Sequence, residues 1–108
     1  MTDAVDSPRS PNEEDSAVQE AIAAKVTGRV QGVGFRYTTA HAARDLGLVG
    51  WVRNAADGSV ETRAQGDMRA IERFVTFLWR GPTSAQVRSV DVTPVDPDPA
   101  LTGFAVRS

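Results

Sequence analysis

Cysteine is absent from the 108-residue chain, which excludes a disulfide framework, a thiolate zinc site and a cysteine nucleophile. His41 is the only histidine, so the chain cannot build a histidine-rich metal site. No apolar run approaches the ~20 residues that a membrane-spanning helix needs, and the acidic N-terminus lacks the apolar core of a secretory signal peptide. These absences predict a soluble cytoplasmic protein that uses no metal ion and no cofactor and binds no membrane.

The charges divide the chain into two parts. Residues 1–20 carry six acids and one base, a net charge of −5, whereas residues 21–108 carry eight acids and eleven bases, a net charge of +3. The first part contains no aromatic residue and is rich in Pro, Ser, Asp and Glu, a composition that cannot bury enough apolar surface to order itself. We therefore interpret residues 1–20 as a disordered acidic N-terminal extension and residues 21–108 as one domain.

Hydrophobic periodicity predicts strand, helix and strand in the first half of the domain. Residues 22–30 alternate between apolar and polar side chains, which indicates a half-buried strand. From Phe35 the apolar spacing becomes helical, through Thr39, Ala42 and Leu46. Gly47 is suited to end that helix in a left-handed conformation, and residues 48–54 predict the second strand.

The second half of the domain repeats the alternation of strand and helix. Asp57 and Gly58 form a strong hairpin signal before a third strand at 60–65. Residues 67–80 follow the i, i+3, i+4, i+7 rule of an amphipathic helix. The apolar parity of a fourth strand, residues 85–93, shifts between Val87 and Val90, which predicts a β-bulge, and residues 102–107 predict a last short strand.

The order of these elements predicts an α+β fold. A β-α-β-β-α-β chain with two helices on one face of a mostly antiparallel sheet is a ferredoxin-like sandwich, here with a short extra strand.

The stretch GRVQGVGFR, residues 28–36, joins the first strand to the first helix. A helix N-terminus has unpaired N–H groups and a partial positive charge, and glycines let an anion approach the backbone closely, so the loop could cradle a phosphate. The guanidinium of Arg36 could bind two phosphate oxygens at once. The spacing matches neither a Walker loop nor a dinucleotide fingerprint, so spacing alone leaves a plain glycine-rich turn equally open.

Several longer motifs resemble the acylphosphatase family over nearly all of residues 23–107. They are GRVQGVGFR, GLVGWVRN and DGSVE, together with ERFVTFLWRGP and the terminal GFAVR. The resemblance implies an α/β sandwich that hydrolyses the carboxyl–phosphate anhydride of acyl phosphates to carboxylate and inorganic phosphate, without a metal ion. It also implies a small acyl phosphate as substrate and inorganic phosphate as product and competing ligand. We expect a monomer that binds no nucleic acid.

The same resemblance assigns roles to individual residues. Arg36 binds the phosphate, and Asn54 positions the attacking water. The phosphate is also held by the backbone amides of the loop residues Gln31, Gly32, Val33, Gly34, Phe35 and Arg36. Ala55 follows Asn54 at a position where some family members have a hydroxyl that steadies the asparagine.

The chemistry of Arg36 and Asn54 restricts the reaction. Both side chains can bind charge and orient water, but neither is a good general acid or base. Such a site suits a leaving group that departs without protonation, and a carboxylate, whose conjugate acid has a pKa near ~4, does so. A phosphate monoester releases an alkoxide and would need an acid that the sequence does not offer.

Two other functions compete with this interpretation. The same fold order occurs in RNA-binding domains, which stack bases on aromatic residues of the central strands. The exposed faces of the first and third predicted strands offer no aromatic residue: they carry Lys25, Thr27, Arg29, Glu61, Arg63 and Gln65. The second alternative is a related domain that binds phosphate without turnover.

Other polar and aromatic residues have plainer interpretations. Without the resemblance, Asn54 would be read as a turn residue. We expect His41 to be an exposed helix residue, Asp57 to form the hairpin turn, and Trp51 and Trp79 to be packing residues outside the site.

Overall fold

A computed structural model describes residues 18–108 as a five-stranded sheet with two helices packed against it. The elements in chain order are β1 (Gln19–Arg29), α1 (Phe35–Asp45), β2 (Val49–Asn54), β3 (Val60–Asp67), α2 (Met68–Arg80), β4 (Gln86–Pro94) and β5 (Phe104–Arg107). Residues 1–17 of the predicted N-terminal extension lie outside the described residues.

The strand order across the sheet is β4-β1-β3-β2-β5. The β1–β3, β1–β4 and β2–β3 pairs are antiparallel, and β5 joins the edge of β2 in parallel. The predicted ferredoxin-like order with its short extra strand is therefore confirmed. Because β5 lies beside β2, the end of the chain is brought next to the end of the strand that carries Asn54.

The first strand begins earlier than the composition of the sequence suggested. Gln19 pairs with Asp67 and Glu20 with Gly66 across the β1–β3 ladder. The acidic composition had assigned both residues to the extension. Ladder pairing uses backbone groups only, so exposed polar side chains are compatible with it.

The core lies between the sheet and the two helices. Helix α2 buries Ile71, Phe74 and Leu78, as its periodicity predicted, and the ring of Phe74 lies 5.9 Å from that of Phe104. Helix α1 buries Phe35, Thr39, Ala40 and Ala43, whereas the predicted face contained the half-buried Ala42. In a short helix of small residues, the periodicity does not determine which face turns toward the core. Packing against the sheet decides this orientation. Among the described residues, no helix is long and apolar enough to span a membrane.

The predicted bulge is present in β4. Thr27 pairs with Ser89 but the next residue, Gly28, pairs with Val87, so Arg88 is the extra residue of the ladder. The apolar parity of β4 shifts at this point because the extra residue exchanges the two faces of the strand.

Both tryptophans were predicted to be packing residues, and the structure contradicts this prediction for one of them. Trp79 is 52% exposed on α2, so its predicted packing role is wrong. Trp51 is half-buried, with the guanidinium groups of Arg53 and Arg107 at 5.2 and 4.8 Å from its ring centre. It lies on the sheet face that carries no helix, because side chains alternate along a strand and that of the next residue, Val52, is buried in the core.

Candidate active site

Two glycines give the loop between β1 and α1 its shape. Gly32 and Gly34 have φ angles of 75° and 79°, in the left-handed region that side chains of L-residues disfavour. A Cβ placed on either residue would meet no atom within 4 Å. Backbone conformation therefore requires glycine here, and the space in front of both residues is open.

Among residues 18–108, no side chain caps the positive N-terminal end of α1. Gly34 is the N-cap residue and provides no side-chain cap, and the first turn contains no acidic residue. Within residues 18–108, the backbone amides of residues 31–36 donate no hydrogen bond to a protein acceptor. Unpaired amides and the helix dipole together favour an anion at this position.

A small cavity of about 90 Å³ opens at this loop. This volume exceeds the ~10–15 Å³ of accessible space that one water molecule needs, so the cavity can admit a small group such as a phosphate. Arg36 lines it from the first turn of α1, and Asn54 lines it from the last position of β2. The other lining residues are Val30, Gly32, Gly34, Phe35 and Tyr37.

The structure thus brings most of the predicted site residues together. The residues that face the cavity are Gly32, Gly34, Phe35, Arg36 and Asn54. Gln31 and Val33 do not line it: Val33 packs against the core, and the side chain of Gln31 points to the β2–β3 hairpin. The roles predicted for these two residues involve their backbone amides, so that prediction stays open.

Arg36 is held in place by the end of the chain. Its Nη1 atom donates a hydrogen bond of 2.8 Å to the carbonyl oxygen of Arg107, the last residue of β5. A guanidinium has five N–H donors in a fixed plane, so this bond orients the group and leaves other donors for a ligand. The ring of Tyr37, which is 68% exposed, lies 5.9 Å from the same guanidinium.

A tightly bonded hairpin loop follows Asn54, the last residue of β2. The amide of Ala55 donates to the carbonyl of Ser59 at 2.8 Å. Asp57 Oδ1 accepts from the amide of Ser59 at 3.0 Å and from its hydroxyl at 2.6 Å. The predicted turn-forming role of Asp57 is therefore confirmed, and it keeps the loop after Asn54 in one conformation.

An ion pair anchors the tip of this loop to β1. The ammonium of Lys25 lies 2.7 Å from Asp57 Oδ2. The hydrogen bond from Lys25, with those from Ser59, holds the pKa of the Asp57 carboxyl well below its ordinary value. The same bond raises the pKa of Lys25. Both groups are therefore charged at neutral pH.

Sequence reasoning missed three features of the site. These are the exposed ring of Tyr37, the carbonyl of Arg107 and the side-chain contacts of Gln31. Arg36 and Arg107 are 71 positions apart in the chain, and no local pattern signals a contact over that separation. His41 is exposed and lies outside the cavity, as predicted.

Comparison with known proteins identifies the family. The acylphosphatase family model matches residues 22–106. An acylphosphatase of Salinibacter ruber is 44% identical over 86% of this chain and 98% of its own length. An acylphosphatase of Nitrosococcus oceani is 49% identical over 76% of this chain and 91% of its own length.

A solved structure supports the same assignment. The structure of an acylphosphatase from Coxiella burnetii is similar with a TM-score of 0.80 and 34% identity, over 87% of this chain and 98% of that one. A family match over most of the domain, close relatives of similar length and this structural similarity agree. The chain belongs to the acylphosphatase family.

Proposed function

We propose that this protein hydrolyses the carboxyl–phosphate anhydride bond of acyl phosphates, without a metal ion. In this proposal Arg36 and the backbone amides of residues 31–36 hold the phosphate, and Asn54 positions the attacking water. The observation that carries the proposal is that Arg36, Asn54 and the glycine loop line one and the same cavity. Within it, an arginine, unpaired amides and a helix N-terminus all favour a phosphate.

The site suits an acyl phosphate better than a phosphate ester. The cavity lining contains no carboxylate and no histidine, and Arg36 and Asn54 cannot donate a proton to a leaving group at neutral pH. A carboxylate departs unprotonated because its conjugate acid has a pKa near ~4. An alkoxide would need protonation as it departs, so phosphate monoesters should be very poor substrates.

Positioning and charge stabilisation can supply most of the catalysis in phosphoryl transfer. The water oxygen, oriented by the amide of Asn54, forms a bond to phosphorus as the bond between phosphorus and the carboxylate oxygen breaks. The electron pair of that bond leaves on the carboxylate. A phosphate oxygen accepts a proton from the water, so the products are a carboxylate and inorganic phosphate. Arg36 and the loop amides stabilise the negative charge on the phosphate oxygens.

The remaining parts of the proposal concern the state of the protein. The substrate is a small acyl phosphate, and inorganic phosphate is both product and competitive ligand. We further propose that the enzyme acts as a monomer in the cytoplasm. Sedimentation of the purified chain with and without phosphate tests whether the protein is a monomer. Cell fractionation tests whether it lies in the cytoplasm.

The decisive experiment compares an aryl acyl phosphate with an aryl phosphate monoester as substrates, in steady state with inorganic phosphate as competitor. We expect turnover of the first substrate only. Arg36→Ala should lower kcat at least 100-fold, since loss of one charge-stabilising donor costs about 10²–10³ in rate. It should also abolish phosphate inhibition. Arg36→Lys should restore activity only partly, because an ammonium cannot replace a bidentate guanidinium.

Arg73→Ala is the control, because Arg73 is exposed on α2 and outside the cavity. It should retain normal turnover and normal inhibition by phosphate. Near-normal activity of a folded Arg36→Ala variant would refute the role of Arg36. Phosphate binding without any turnover in the wild type would favour the phosphate-binding alternative.

A further inference from the structure

The side chain of Gln31 connects the loop before α1 to the hairpin loop that follows Asn54. Its Nε2 atom donates one hydrogen bond to the carbonyl of Ala55 and another to the carbonyl of Ser59, each at 2.8 Å. A glutamine amide has two N–H donors, so both are used. The backbone of Gln31 belongs to the loop of residues 31–36, here called the phosphate loop, while both acceptors belong to the hairpin loop of residues 55–59.

The contact is made at Ala55, the residue that follows Asn54 in the chain. The amide of Ala55 donates to Ser59, and its carbonyl accepts from Gly58 at 3.2 Å as well as from Gln31. Both backbone groups of Ala55 are therefore bonded, which limits rotation of the chain immediately after Asn54. The methyl side chain of Ala55 cannot form a hydrogen bond, so the backbone provides all the polar anchoring at this position.

Contacts other than those of Gln31 stabilise the conformation of the hairpin loop. Asp57 bonds to Ser59, and Lys25 pairs with Asp57, and none of these contacts involves the phosphate loop. What Gln31 adds is a fixed distance between the hairpin loop and the phosphate loop. Its loss should therefore change the placement of Asn54 relative to the phosphate more than it changes the fold.

We propose that Gln31 is a positioning residue that holds Asn54 at its working distance from the bound phosphate. It acts through Ala55 and Ser59, and its side chain lies outside the lining of the cavity. The inference rests on the proposed function, because Asn54 must act on a phosphate that the loop holds. It goes beyond that function by giving the Gln31 side chain a role of its own, distinct from the role of its backbone amide.

Gln31→Met tests the side chain without changing its length much. Methionine cannot donate to the two carbonyls, while the backbone amides of the phosphate loop remain. We expect kcat to fall about 10-fold or more, which corresponds to about 1.4 kcal/mol. The inhibition constant for inorganic phosphate should stay within about twofold of the wild type, because phosphate binding itself is retained.

Gln65→Met is the matched control. Gln65 Nε2 donates to the carbonyl of Asp98, and its Oε1 accepts from the amide of Asp98, both at 2.9 Å. This variant also loses two hydrogen bonds between a half-buried glutamine and the backbone, but on β3, away from the cavity. It should keep its kcat, even if its thermal stability falls as much as that of Gln31→Met.

A second measurement does not depend on turnover. In ¹⁵N-labelled protein, inorganic phosphate should shift the side-chain amide signal of Asn54. In Gln31→Met this shift should shrink at saturating phosphate, and the Ala55 amide should exchange its hydrogen faster. Gln65→Met should show neither change.

The outcomes separate the two proposals. An unchanged kcat and an unchanged Asn54 shift in Gln31→Met would overturn the role of Gln31. Loss of phosphate affinity as large as the loss of kcat would also overturn it, since Gln31 would then shape the phosphate loop alone. An inactive wild type whose Asn54 signal still depends on Gln31 would refute the proposed function but support the positioning contact.

Discussion

A methyl group added at Gly34 should weaken phosphate binding, whereas the same change at Gly47 should not. The φ angles of the two residues are 79° and 72°, and a Cβ on either would meet no atom within 4 Å. The left-handed conformation costs an alanine roughly 1–2 kcal/mol. The reduced freedom of the unfolded chain offsets about 0.4–1 kcal/mol of this. Both variants should therefore lose about 1 kcal/mol of stability, or about 4–8 °C in Tm.

The two positions differ in what lies in front of them. Gly34 lines the cavity beside Arg36, so a Cβ on it would occupy open space at the loop that is proposed to hold the phosphate. Gly47 follows the end of α1 and donates its amide to the carbonyl of Arg44 at 3.0 Å. Loss of one hydrogen bond to a charged group costs about 1.5–3 kcal/mol. Gly34→Ala should thus raise the inhibition constant for phosphate roughly 10- to 100-fold, and Gly47→Ala should leave it unchanged.

Thermal unfolding followed by circular dichroism measures the first expectation. Steady-state competition between inorganic phosphate and an aryl acyl phosphate measures the second. Together the two measurements distinguish two effects. Backbone strain should lower the stability of both variants, whereas occlusion of the phosphate site should occur only in Gly34→Ala. Equal inhibition constants in Gly34→Ala and wild type would show that phosphate does not bind in front of Gly34, and the proposed cradle would be wrong.

Three further predictions concern the hairpin loop and the N-terminus. Asn54→Ala should lower kcat about 10²–10³-fold in steady-state kinetics, with little change in phosphate inhibition, and Ala55→Thr should raise kcat modestly. If Asn54→Ala retains its kcat, Asn54 is a turn residue only. The depressed pKa of Asp57 adds stability that is present above about pH 4 and lost as pH falls through the lower folded pKa. The Tm difference between wild type and Asp57→Asn should therefore shrink in acid, and a constant difference from neutral to strongly acidic pH would contradict the role of its ion pair. Deletion of residues 1–17 should leave Tm and kcat nearly unchanged, whereas deletion of residues 1–20 should lower Tm because it removes the start of β1; equal melting of the two truncated chains would argue against that pairing.

Most of the fold could be predicted because its signals are local. Alternation in β1, the apolar face of α2 and the Asp57-Gly58 turn each depend on residues that are close in sequence. The bulge of β4 was visible for the same reason, as a shift of apolar parity between Val87 and Val90. The angular position of α1 was not predictable, since its small side chains give a weak periodicity.

The site could be predicted in part. A glycine loop before a helix, with Arg36 in the first turn, is compatible with an anion site, but local physics left a plain glycine-rich turn equally open and the family motifs were needed to favour the site. Asn54 could be named only through the family motif, because an asparagine before a hairpin is also an ordinary turn residue. The exposure of Trp79 could not be predicted. The sequence shows which side chains of a helix are apolar, but not which of them pack against another element.

The sequence by itself determined the kind of elements and their order. These follow from backbone propensities and hydrophobic periodicity, which act over a few residues. Only the tertiary structure decided that Arg107 orients Arg36 and that Gln31 bonds to Ala55 and Ser59. Those contacts join distant parts of the chain. They exist because the sheet places β5 beside β2 and brings the two loops to the same end of the fold.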